Sequence, residues 1–388
     1  MHTFDFDRII DRSGTHTIKY DRRKELFGAE NILPMWVADM DFSVPPPVSE
    51  AIRKRSEHPV YGYTMRPPVY FETIVAWLKK RHGWEIETDW IHYSPGVVPA
   101  LNILIQEFSQ PGDGVILQSP VYHPFFHAIR NNNRRLLNNR LVEKNNKYTI
   151  DFDDLSRKAK EAKILLLSHP HNPVGRSWTR EELLKLGEIC LENNVLIVSD
   201  EIHADLTMPG YKHIPLAAMS PELAEATVTC IAPSKTFNLA GLSTSSVIIK
   251  NEHKKKRFKA FIERLHLNMG NLFGMIASTA AYGEGEPWLD ALLRYLQENI
   301  CFVTEFLENE IPRVRISPVE ATYLLWLDFR ELNMTTGELN SMLTRKAKLG
   351  LNDGTIFGQG GVGFQRMNVA CPKSIVEQAM ENLKKAIQ

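Results

Sequence analysis

ILLLSHPHNPVG (Ile164 to Gly175) and VLIVSDE (Val195 to Glu201) decide the fold, because each begins as an unbroken apolar run and stops abruptly at polar residues. A strand with one wet face alternates apolar and polar positions. A run with no polar position needs cover on both faces, and helices on both sides of a mostly parallel sheet provide it. Working outward, short β-rich runs alternate with helical patterns from about residue 90 to 250. Strands are expected near Ile91 to Tyr93, Val115 to Gln118, Ile164 to Leu167, Leu196 to Ser199, Thr227 to Ile231 and Ser246 to Ile249, with a helix beginning at Val97. Beyond them come a long amphipathic helix (Trp288 to Glu310), a strand (Tyr323 to Leu327), a helix and a last strand (Gly363 to Val369). The pattern predicts an α/β protein: a large domain over residues 46–287 with its sheet sandwiched by helices, and a smaller α+β domain from residues 1–45 and 288–388.

With 388 residues, 43% of them hydrophobic, there is material for one large core and a second beside it. Lys plus Arg and Asp plus Glu balance at 46 each. That neutrality removes the global field a nucleic-acid or anionic-membrane binder uses, and points to a small-molecule partner. The basic run His253 to Lys259 is expected to be a solvated helix face. Cys190, Cys230, Cys301 and Cys371 are scattered, which argues against a disulfide framework and a structural zinc site. The N-terminus carries charge throughout, with no signal-peptide core, and no apolar run reaches membrane-spanning length; a cytoplasmic location is expected. The asparagine-rich stretch Asn131 to Asn146 is expected to form a polar edge strand and turns.

Three signals fall where predicted sheet strands end, which is where open α/β folds bind ligands. They are His171-Asn172-Pro173-Val174-Gly175, Ser199-Asp200-Glu201 and Ser234-Lys235-Thr236-Phe237-Asn238-Leu239-Ala240-Gly241. Each alone has a plain structural explanation as a turn, a helix cap or a solvated lysine. Together, in the order Asn, Asp, Lys and spaced by roughly 28 and 35 positions, they resemble the fold-type I pyridoxal 5'-phosphate enzymes of the aminotransferase class I/II superfamily. The resemblance covers nearly the whole chain.

It implies the type I PLP-dependent transferase fold and assigns roles. Lys235 carries the cofactor as a Schiff base and, once displaced, acts as the base over the substrate Cα. Asp200 faces the pyridine nitrogen and keeps it protonated, and Asn172 donates to the ring's 3-oxygen. Gly96, Val97 and Val98 open an apolar helix at the end of a strand, and their backbone is expected to receive the phosphate. The superfamily often adds a serine three residues before the lysine and an arginine eight after it; here those positions are Ala232 and Ser243. Ser234 and Ser243 are therefore the expected substitutes, with Tyr61 crossing from a second subunit. Tyr122 is expected to stack on the cofactor, His203 to sit near it, and Arg366, placed on an edge strand, to fork the substrate carboxylate.

Trp36-Val37-Ala38-Asp39-Met40-Asp41-Phe42, Tyr61-Gly62-Tyr63 and Asn352-Asp353-Gly354 narrow the resemblance to the MalY/PatB-like branch of cystathionine β-lyases and carbon–sulfur lyases. That branch implies α,β-elimination of L-cystathionine, L-cysteine or related S-substituted cysteines to a thiol, pyruvate and ammonia, in a homodimer whose active site is shared between subunits, with Trp36 and Tyr122 shaping the cleft. The alternative is an aminotransferase of broad or aromatic specificity. Two signals are set aside. Gly358 to Gly363 fits G-x-G-x-x-G but is followed by a strand, so it reads as a flexible loop near Arg366. His169, His171 and His203 lack accompanying carboxylates or thiolates, so no metal is expected.

Overall fold

In the computed structural model, which describes residues 4–388, both apolar runs are interior strands of one sheet. Its strands are β1 (Ile91–Ser94), β2 (Gly114–Leu117), β3 (Arg135–Asn138), β4 (Ala162–Ser168), β5 (Leu196–Asp200), β6 (Thr227–Ile231) and β7 (Ser245–Ile249). They lie in the order β1-β7-β6-β5-β4-β2-β3. Only β7 runs against its neighbours. The unbroken hydrophobicity of the runs follows from the pleat. Ile164, Leu166 and Val198 face one core, while Leu165, Leu167 and Ile197 face another on the opposite side. Each such side chain contributes about 1.5–3 kcal/mol by leaving water, so the runs Ile164 to Leu167 and Leu196 to Val198 carry no polar residue.

Because β1, β2, β4, β5 and β6 point the same way, their C-terminal ends lie along one edge of the sheet. The loops leaving that edge carry Gly96, Tyr122, Asn172, Asp200 and Lys235. Helix α1 (Val97–Phe108) starts directly after β1 and buries Ala100, Leu101, Leu104 and Ile105 against the sheet.

The second sheet is antiparallel, built from β8 (Arg315–Ile316), β9 (Leu324–Asp328), β10 (Asn352–Asp353) and β11 (Phe364–Asn368) in the order β8-β9-β11-β10. Helices α2 (Glu286–Glu310) and α3 (Lys373–Ile387) cover it through Val303, Leu307, Val376 and Met380. Arg366 therefore sits on a strand flanked on both sides, not at the edge expected from sequence; β9 and β10 both pair with it.

The N-terminal segment serves both cores. Met35 packs under the antiparallel sheet, whereas Phe6, Met40 and Phe42 join Phe237 and Trp288. The asparagine-rich stretch forms the edge strand β3 and a hairpin, as expected. Asn139 is buried, donating to Asp151 O and Asp154 Oδ2 at 2.9 Å. The basic run lies on an exposed helix, where Lys255 pairs with Asp89 and Glu252 and Arg257 with Glu107. The glycine loop is tightly packed, not slack. A Cβ on Gly361 would lie 1.8 Å from Gly354 O, and one on Gly358 would meet Phe126 at 2.5 Å. Among the described residues no helix is long and apolar enough to cross a membrane.

Candidate active site

The loops at the C-terminal edge enclose a cavity of about 260 Å³. Its walls include Gly96, Val97, Val98, Tyr122, Asn172, Asp200, His203, Ser234, Lys235 and Ser243. The cavity follows from the sheet: each strand ends where polarity begins, and the parallel direction gathers those ends.

Lys235 follows β6 in the short helical turn Pro233–Thr236, and its Nζ donates to Ala38 O. Burial, followed by the charge of Arg366, pulls its pKa down from 10.5 to about 8. An amine poised there offers an unprotonated lone pair near neutral pH, which is what a nucleophile or a base requires.

Asp200 ends β5. Its Oδ1 accepts from Ile202 N at 3.2 Å, and among the described residues no ion pair reaches it. Burial raises its pKa from 3.8 to about 7. A buried carboxylate with no resident cation is a costly arrangement unless a cation comes to it.

Asn172 lies in the loop after β4, and its Oδ1 accepts from Arg366 Nη1 at 2.9 Å. A guanidinium only donates, so this contact fixes the amide orientation and leaves Nδ2 as the donor. Arg366 is held further by Trp36 O (3.0 Å) and Asn352 Oδ1 (2.6 Å), while its buried Nε has no hydrogen-bond partner in the structure. Burial pulls its pKa down to about 10.

At the other end of the cavity Gly96 caps α1 in extended backbone, bringing the first-turn N–H groups of Val97 and Val98 to the wall. Pro99, the third helical residue, has no N–H to offer. Ser234, Ser243 and Thr244 add hydroxyls to the lining, and Ala232 and Ser243 occupy the two positions where the expected serine and arginine are missing.

One residue expected to shape the cleft is placed otherwise, and a second, Tyr61, is the one expected to serve a partner subunit. The Trp36 indole donates to Lys19 O at 3.2 Å and packs edge-on against Phe27, so it does not line the cavity; Trp36 meets Arg366 through its backbone carbonyl. Tyr61 is 57% exposed, donates to Ser56 O and packs on Phe273, away from its own chain's cavity. His203 lies in the wall with its pKa well below 6.5 through burial, so it is a neutral group there. His169 and His171 bond Ile214 O and Pro120 O respectively, so their rings serve backbone carbonyls.

What sequence reading missed is mostly backbone. The carbonyls of Trp36, Val37, Ala38, Asp39, Met40 and Phe42 each accept a side-chain donor, from Arg366, Asn368, Lys235 with Tyr323, Asn368 with Lys19, Asn238 with Arg12, and Asn238 respectively. Asn352 was visible as part of a motif, but its contact with Arg366 was not. A larger cleft of about 510 Å³ lies between Arg66 and Phe258. Arg66 there gives both Nη groups to Asn268 O and Met269 O and packs on the Tyr93 ring, leaving only Nε unpartnered, whereas the smaller cavity holds a buried amine and an unpaired acid and is the chemical site.

The family description aminotransferase class I and II matches residues 31–383. Cystathionine β-lyase PatB of Bacillus subtilis (strain 168) is 44% identical over 384 residues, covering 98% of this chain and 99% of its own. Cystalysin from Treponema denticola, whose crystal structure contains a pyridoxal 5'-phosphate cofactor, superposes with a TM-score of 0.96 at 40% identity, with 99% of each chain covered. The PLP-bound C-S lyase from Staphylococcus hominis superposes with a TM-score of 0.93 at 33% identity, covering 100% of this chain and 98% of its own.

Proposed function

The chain belongs to the aminotransferase class I and II family, and from that premise we propose that it is a pyridoxal 5'-phosphate-dependent carbon–sulfur β-lyase. The single observation that carries the reading is the cavity itself. It brings a buried amine near pKa 8 and a buried carboxylate without an ion-pair partner to the end of the mostly parallel sheet, beside an Asn172 whose amide is held by Arg366 from the antiparallel sheet, in a chain closely similar to named lyases.

The residues fit the cofactor. Asp200 lacks the buried cation that a protonated pyridine nitrogen would supply, Asn172 Nδ2 is free to donate to a ring oxygen, and the N–H groups of Val97 and Val98 with the hydroxyls of Ser234 and Ser243 suit a phosphate. When bound, the cofactor supplies an aldehyde for the amine and an electron sink for charge developing at the substrate Cα. The rest is done by this chain. Arg366, with its spare Nε, binds and orients the α-carboxylate. Lys235 takes the proton from Cα and, from the same position, returns one to the departing sulfur. Tyr122 closes one wall and excludes water. The substrate is an amino acid with sulfur on Cβ; loss of the Cα proton and the Cβ–S bond releases a thiol, and one water then hydrolyses the remaining three-carbon fragment to pyruvate and ammonia.

A homodimer with a shared site is supported by the exposure of Tyr61, Tyr63 and Met65 on one segment. A large domain at 46–287 and a small one from 1–45 and 288–388 accord with the two sheets, and a cytoplasmic location with the unpaired cysteines. Borohydride reduction of the loaded enzyme followed by peptide mapping tests the site. The cofactor should be fixed to the Lys235 peptide and to none in Lys235→Ala; attachment at another lysine would sink the assignment.

A further inference from the structure

Lys235 has a four-carbon stem and a single hydrogen bond, so the placing of its amine falls to its neighbours in the chain. Asn238 grips the N-terminal segment through Met40 O and Phe42 O. Thr236, 1% exposed, donates its hydroxyl to Asp205 Oδ2 at 2.8 Å. Asp205 is itself 8% exposed and lies on the loop that carries Asp200 and His203. Its other oxygen, Oδ1, accepts from Trp77 Nε1 at 2.9 Å and His82 Nε2 at 2.8 Å, both from the helix Pro68–His82. These donors more than offset burial, so the carboxyl stays below its usual pKa and remains charged. Three donors from two other elements thus converge on one buried charge. An apolar residue would fill this space at lower cost. What the charge does that an apolar residue would not is tie the loop after β5 to the residue following Lys235.

We propose that Asp205 is a positioning residue: through Thr236 it fixes the Lys235 amine relative to Asp200 and His203, and so sets the alignment on which proton transfer at the substrate depends. The proposal rests on the lyase reading of the cavity. Misplacing a reacting group by a fraction of an ångström lowers rate much more than affinity.

The test uses the cofactor-loaded enzyme in four forms: wild type, Asp205→Asn, Thr236→Val and the double variant, with Trp77→Phe as a control that removes one donor from the same carboxylate while keeping a ring against Phe237 and leaving the Thr236 contact in place. Readouts are kcat and KM for pyruvate release from L-cystathionine, the pH midpoint of the bound cofactor's absorbance change, and Tm. Asp205→Asn and Thr236→Val should each lower kcat roughly ten-fold with KM within about two-fold, and displace the absorbance midpoint in the same direction. The double variant should be no worse than the more damaged single, because both act through one contact. Trp77→Phe should lower Tm while kcat and the midpoint stay at wild-type values. An active wild type, with kcat and midpoint unchanged in Thr236→Val, overturns the proposal and leaves the lyase reading intact. A wild type that holds no cofactor overturns both.

Discussion

Asp200 is a carboxylic acid made weaker still by burial. Its folded pKa of about 7 lies above the ordinary 3.8, so its contribution to folding is fully present below pH 3.8 and is lost as pH rises through 7. In the cofactor-free protein, Asp200→Asn should therefore be the more stable form at pH 8, by on the order of a few kcal/mol, with the gap closing as pH falls toward 4. Thermal melts across that range decide it; a gap that widens at low pH would contradict the account. Arg366 is the second residue with a sharp expectation. Arg366→Lys keeps charge but loses the fork and leaves Asn172 and Asn352 without their donor, so KM for the amino acid should rise by roughly 10- to 100-fold while the cofactor still binds. An unchanged KM in steady-state assays would remove Arg366 from the carboxylate site. Lys235, Asp200 and Asn172 stood out in the sequence as polar side chains at or just after the ends of sheet strands, and the structure gathers all three in one cavity. Trp36 was misread because it works through its carbonyl, and an indole in a motif gives no hint of that.

The strands ILLL and VLIV announced a doubly covered sheet because burial on both faces forbids polar residues, and the observed strands differ from expectation only by a residue or so at each end. The segment Trp36 to Phe42 is the opposite case. Its sequence marks it as distinctive, yet most of its carbonyls are held by donors more than a hundred residues away, Asn238 and Asn368 among them, so no local pattern predicts its order. The glycine loop failed as a flexible element for a related reason. Its glycines permit close packing, and closeness is a tertiary fact that the motif does not print. Gly361→Ala should accordingly cost about 3 kcal/mol or more, seen as a lower urea midpoint, since the added methyl runs into Gly354 O. A midpoint equal to wild type would mean the loop has room that its geometry denies.

At the level of the molecule, the site lies between the parallel sheet's C-terminal edge and β11 of the antiparallel sheet, with the N-terminal segment laid between them. Arg366 and Lys235 are thus carried by different sheets, and their separation is set by the packing of the whole chain. The side chain of Tyr61 stays outside its own chain's cavity. If a second subunit receives it, mixing inactive Lys235→Ala with a damaged Tyr61→Phe variant should restore up to about a quarter of wild-type activity, through hybrids that carry one intact site. Mixtures no more active than their parts would argue that each chain works alone.

The central claim is elimination at Cβ, and the most direct measurement is product formation from L-cystathionine and L-cysteine with no oxo acid added. The account predicts sustained release of pyruvate and thiol in equal amounts, abolished in Lys235→Ala. Turnover that stalls after one equivalent per site and resumes only on adding 2-oxoglutarate, without pyruvate, would contradict it and make the enzyme an aminotransferase.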